Sequence, residues 1–318
     1  MTIKTQKYIS ATLIAIVAIG GFEALIYILN LNQPFIYLQV AFWIFAYLVF
    51  NVAFYYDISV KKPGAHERAR LKYVNISRGF LRSIKIVWTV SVERFGHFRK
   101  WRHLRQWLHF LLVPAFIFWA TFTLIYVNFG NIRIQQLLAM LSSVALIVDF
   151  WFLKEAIHRG KEKVDSDIFI ALSMVKIYAA TALYAGAMSI LRYYCLPPLY
   201  FSSEVFCFSF LLVYLALYLH RKINGPNIAA ALLIAAVMSA IGQLVYIFWG
   251  YDYFTAAIFM AVCYHLMWGV FHYHLDRALT WQALLEILII SLLIAGMLFS
   301  VTNFKARILN DCQYYLNG

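Results

Sequence analysis

The chain has 318 residues, of which 64% are hydrophobic and only 13% charged, with a net charge of +13 and a mean hydropathy of +0.74. Water-soluble domains carry about a quarter charged residues, so this composition excludes a soluble globular fold, which would have no means of hiding so much apolar surface. Apolar stretches of about 20 residues, in place of alternating ten-residue strands, exclude a β-barrel and leave helices as the spanning structure, because hydrocarbon offers the backbone no hydrogen-bond partner.

In chain order, apolar runs bounded by charges or turn residues predict an all-α bundle with spans near 8–29, 35–56, 106–127, 134–153, 168–191, 199–219, 228–249, 253–273 and 280–302. The whole chain reads as one membrane domain. The first run follows Lys4 and Lys7 like a signal peptide, but it is about twice the usual apolar length and lacks a small-x-small cleavage site, so it is read as a retained span. Pro34, Pro197 and Pro198 fall in turns, whereas Pro114 falls within the third span and is expected to kink it.

The placement of Lys and Arg predicts the orientation. With the N-terminus inside, 22 of the 27 lie in inner segments, at the N-terminus, between 57 and 105, between 154 and 163, and at Arg221, Lys222 and Arg277. Only Arg133, Arg192, Lys305 and Arg307 lie outside, which puts the C-terminus outside, and Lys176 lies within a span. An inner (cytoplasmic) membrane fits this bias, and the bias also accounts for the net charge without nucleic acid as a partner. A cysteine placed in 57–79 or 155–163 should therefore be protected from an impermeant thiol reagent added outside, while one beyond 305 should be labelled. Labelling of the 57–79 segment in intact cells would reverse the orientation.

The longest segment outside the bilayer, 57–105, holds a predicted amphipathic helix. Phe80, Leu81, Ile84, Val87, Trp88, Val92, Phe95, Phe98 and Trp101 share one side, and Arg82, Lys85, Arg94, Arg99, Lys100 and Arg102 occupy the rest. Its continuous apolar stretch is too short to span. The expected partner is anionic lipid of the inner leaflet, with apolar burial and about 1 kcal/mol per basic residue holding the helix to the surface.

Ionisable groups inside spans are the candidate functional residues, because their placement in hydrocarbon is costly. Lys176 falls near the midplane, His265 and Glu286 roughly 10–12 Å from the inner edge, and Glu23 and Glu204 roughly 8–9 Å below the outer one. This stepped set is the pattern of a proton relay or an ionic-substrate path, and equally of a lysine neutralised by one glutamate to fix helix packing. A second candidate is the inner-interface group His272, His274 and Asp276. His265 and His272 are one heptad apart and too distant for one metal ion, while His272 and His274 point to different sides of a helix.

No HxxxH or HExxH box, GxSxG, GxGxxG or P-loop is present, and no Cys/His spacing marks a zinc or redox site, so no metal site and no particular cofactor is assigned. Ser142, Ser143, Ser202 and Ser203 are read as packing hydroxyls that bond back to their helix or across to a neighbour. Cys195 and Cys312, both placed outside, are close enough in topology for a disulfide in an oxidising compartment. An ungapped register aligns Leu25-Ile26-Tyr27-Ile28 with Leu244-Val245-Tyr246-Ile247, and Asp57 with Asp276, as a parallel repeat would. Interfacial aromatic belts produce such tyrosines without one. Three functions remain: a transporter or channel with a polar path around Lys176, a membrane enzyme on lipid or isoprenoid substrates at the inner interface, and a structural or assembly subunit of a membrane complex.

Overall fold

The computed structural model describes residues 3–55, 101–158, 166–219, 222–249, 252–275 and 280–302. Among the described residues there are no strands, and nine α-helices follow one another: α1 (Ile3–Asn30), α2 (Pro34–Tyr55), α3 (Trp101–Val127), α4 (Ile132–His158), α5 (Ser166–Tyr193), α6 (Pro198–Leu219), α7 (Gly225–Phe248), α8 (Tyr253–Leu275) and α9 (Trp281–Val301). Seven of them are long and apolar enough to cross a bilayer. The described apolar stretches of α2 and α3, Pro34–Phe50 and Leu111–Val127, are shorter. The chain is thus a polytopic helical membrane protein of the expected class. The stretch expected to form the interfacial helix, with Arg82, Lys85, Arg94, Arg99 and Lys100, lies outside the described residues, as do Asp276 and Cys312 with its expected disulfide; Arg102 falls in the first turn of α3.

The helices stop where the sequence supplies terminators. At the end of α5 the Leu196 N–H donates to the Leu191 carbonyl at 2.9 Å and the Cys195 N–H to the Arg192 carbonyl at 3.1 Å. This closes a Schellman turn with Cys195 at φ +55°, a position where glycine is usual. Pro197 and Pro198 follow, and Pro198 opens α6 with a fixed φ and no orphan N–H. Asn224 caps α7, its side-chain oxygen accepting from the Asn227 N–H at 2.9 Å. Pro114 lies inside α3, and the helix continues through it.

The chain forms two compact units, Met1–Ala115 with Ala139–Leu172, and Phe116–Leu138 with Ser173–Gly318. In the first, α1 buries Ile14, Ala18, Phe22, Leu25 and Leu29, a stripe at helical spacing, while Tyr37, Ala41 and Leu48 do the same on α2. Gly21 lets the two helices approach closely, since a Cβ there would stand 3.1 Å from Ile44. Ser142, Ser143 and Asp149 of α4 are buried in this unit.

In the second unit α5 is the most enclosed span, with 67% of an 18-residue apolar stretch buried, and α9 the least, with 6%. Small residues set the closest approaches. A Cβ on Gly186 of α5 would meet the Ala120 backbone of α3 at 3.4 Å, and one on Gly242 of α7 would stand 3.1 Å from Val205 of α6 and 3.3 Å from Met260 of α8. Gly242 is therefore the wedge-free point at which α7 packs against two helices at once. Gly242→Leu should cost about 1–3 kcal/mol through overpacking, read as a lowered melting temperature in detergent. Gly296→Leu, where nothing lies within 4 Å, should leave melting unchanged.

Candidate functional site

The ionisable residues predicted within spans separate into two groups. Lys176 and Glu204 are half-buried in the second unit, on α5 and α6. His265 of α8 and Glu286 of α9 are exposed, as is Glu23 of α1 in the first unit. The acids and the histidine do not converge on the lysine: Glu204, His265 and Glu286 make no hydrogen bond or ion pair among the described residues. Depth explains part of this. Counted from the ends of their helices that share the 194–197 turn, Glu204 lies roughly 9 Å in and Lys176 roughly 26 Å in, toward the opposite end and not near the midplane where the sequence count placed it, so the two are roughly 17 Å apart in depth.

Between these two levels the structure places a group that the sequence had not singled out. The hydroxyls of Tyr184 (α5) and Ser209 (α6) are 2.9 Å apart and both residues are fully buried. Cys263 and Tyr264 of α8 lie within electrostatic range of the Tyr184 hydroxyl. All four stand roughly 14–17 Å from the same ends of their helices, which is mid-bilayer. Each hydroxyl by itself reads as one more packing residue in an apolar run. The signal was their common depth on three different spans, and it becomes legible only once those spans are known to be neighbours.

Of the other span hydroxyls, Ser143, expected to bond to its helix or a neighbour, has its buried oxygen without a hydrogen-bond partner among the described residues, whereas the following behave as packing groups. Ser202 and Ser239 bond across α6 and α7 at 3.0 Å. Ser203, Thr181, Ser189 and Thr121 donate to carbonyls of their own helices.

The helix ends of this unit are fastened by polar side chains. At the end carrying the 194–197 turn, which is the outer end if Lys and Arg set the orientation, Arg192 donates to the Trp249 carbonyl at 2.5 Å and lies 5.5 Å from the centre of the Tyr246 ring. Tyr246 donates to the Leu196 carbonyl at 2.9 Å and stacks on Phe201, and Trp249 donates to Thr255 at 2.9 Å. Tyr253 donates to Asn128 at 2.8 Å, joining the start of α8 to the end of α3. At the opposite end Lys222 donates to the Leu275 carbonyl, placing its charge on the negative end of the α8 dipole.

Of the inner-interface group, His272 is half-buried and stacked on Trp268 at 5.7 Å, and His274 is exposed, so the two histidines occupy different environments as their spacing implies. Among the described residues no three His, Cys, Asp or Glu side chains are grouped to hold a metal ion. Comparison with protein families, characterised proteins and solved structures finds no match, so the function is argued from these residues alone.

Proposed function

We propose that this membrane protein is a transporter or channel whose polar path runs through its second unit past Glu204, the Tyr184–Ser209 pair and Lys176. The observation that supports the reading most is the stepped placement of these groups. An acid near one end, a hydroxyl pair at mid-depth and a base toward the other end sit on α5 and α6, in the unit built around the most enclosed span. A polar series at successive depths serves passage, whereas packing needs only local partners. His265 and Glu286, expected on the same path, are exposed and are left out of it. The test is purified protein in proteoliposomes under an imposed potassium or proton gradient. Faster dissipation than in protein-free vesicles supports the reading, and tight vesicles toward protons, alkali cations and halides remove it.

A second reading, an assembly subunit, is favoured by a different observation. His265 and Glu286 are exposed within apolar spans, and α9 buries only 6% of its span. Polar groups turned to hydrocarbon are stabilised when another helix covers them. This reading expects a stable oligomer or complex in mild detergent that Glu286→Leu with His265→Leu disrupts.

A further inference from the structure

The Tyr184–Ser209 pair restricts what passes the middle of the bilayer. Resting on the transport reading above, we infer that the species moved is the proton, and that its mid-membrane step is a transfer between these two hydroxyls. Tyr184 and Ser209 are 0% exposed and their oxygens stand 2.9 Å apart, a separation filled by a single hydrogen. Tyr264, 3% exposed, closes the same level from α8. A hydrated ion or an organic solute needs several ångströms of clear width there, and the packing gives none. A proton needs only an unbroken donor–acceptor contact, and either oxygen of this pair is able to donate.

The step conserves atoms and electrons. A proton arriving from the Glu204 side bonds to a lone pair of one hydroxyl. That oxygen passes its own hydrogen across to the other hydroxyl, which releases its hydrogen toward Lys176. At each oxygen one O–H bond forms and one breaks, nothing is oxidised or reduced, and rotation about the two C–O bonds resets the pair. Glu204 and Lys176 are groups able to hold the proton before and after the transfer, and the relay requires water molecules between each of them and the pair.

The experiment uses the full-length protein in proteoliposomes holding a trapped pH dye, with a valinomycin–potassium potential driving proton entry. Wild-type proton flux should fall at least tenfold in Tyr184→Phe and in Ser209→Ala, with helical circular dichroism retained. It should also fall about two- to threefold in D2O, a measurement that needs no variant. Flux unchanged in both hydroxyl variants and insensitive to D2O, yet lost in Lys176→Met, would overturn the hydroxyl step while leaving the path intact. Potassium or halide flux without proton flux would overturn the proton assignment but keep the transport reading. Vesicles tight to all of these ions would end both.

Discussion

Under the proposed transport reading, Lys176→Met should abolish flux, a loss of at least a hundredfold, while the purified variant keeps its helical content. The reason is placement. An ammonium inside a span is costly unless it is paired or hydrated, and Lys176 is half-buried on α5, the span with the largest buried share. Methionine preserves the length and apolar stem of the side chain, so the packing of α5 is little altered, and what disappears is the charge and the exchangeable proton. Lys176→Arg should restore flux only in part, because a guanidinium does not release its proton. If Lys176 serves packing alone, the outcome reverses. Lys176→Met would then shift the melting temperature and leave flux within about twofold of wild type. Flux in proteoliposomes and melting in detergent, measured on the same preparations, separate the two.

Arg192→Ala should destabilise the second unit by about 2–5 kcal/mol. The guanidinium donates to the Trp249 carbonyl at the end of α7 and lies over the Tyr246 ring. A hydrogen bond from a charged group contributes about 1.5–3 kcal/mol, and a partly desolvated cation–π contact adds about 0.5–2 kcal/mol. Removal leaves the Trp249 carbonyl without this donor at the point where α7 turns into α8. Lysine in place of Arg192 should recover less than half of the loss, since it cannot lie flat on the ring while reaching the carbonyl. Tyr246→Phe is the internal comparison. It keeps the ring beneath Arg192 and loses only the bond to the Leu196 carbonyl, so it should cost about 1 kcal/mol. Thermal melting in one detergent orders the three variants. Equal melting of Arg192→Ala and wild type would mean that the clasp contributes nothing to holding the helix ends.

The helical class and the turns were legible because each rests on local chemistry. Twenty apolar residues in hydrocarbon have to be helical, and Pro198, Asn224 and Pro226 end or begin helices through their own backbones. Depth was read equally locally, as residue count times rise, but it depends on where each span is taken to end, so Lys176 shifts from the midplane toward one end when α5 is measured from Tyr193. What sequence could not supply was azimuth and neighbourhood. Low amphipathicity is normal for helices surrounded by lipid and protein that are equally apolar, so the pattern does not say which side of α8 meets α9. Expectation gathered five ionisable residues into one stepped path; in the structure three of them, His265, Glu286 and Glu23, are exposed.

The amino-acid sequence by itself determined that this protein crosses a membrane many times as helices, and the order in which the polar groups follow one another along each helix. Only the tertiary structure decided which groups at one depth meet. Tyr184, Ser209, Cys263 and Tyr264 come from three spans and acquire a common environment through the packing of α5, α6 and α8. Arg192 finds its partners Tyr246 and Trp249 more than 50 residues away, at the end of α7. The physical reason is that depth follows from one helix's rise per residue, whereas contact depends on shape complementarity between helices, set by small residues such as Gly186 and Gly242 and by the side chains they allow to touch.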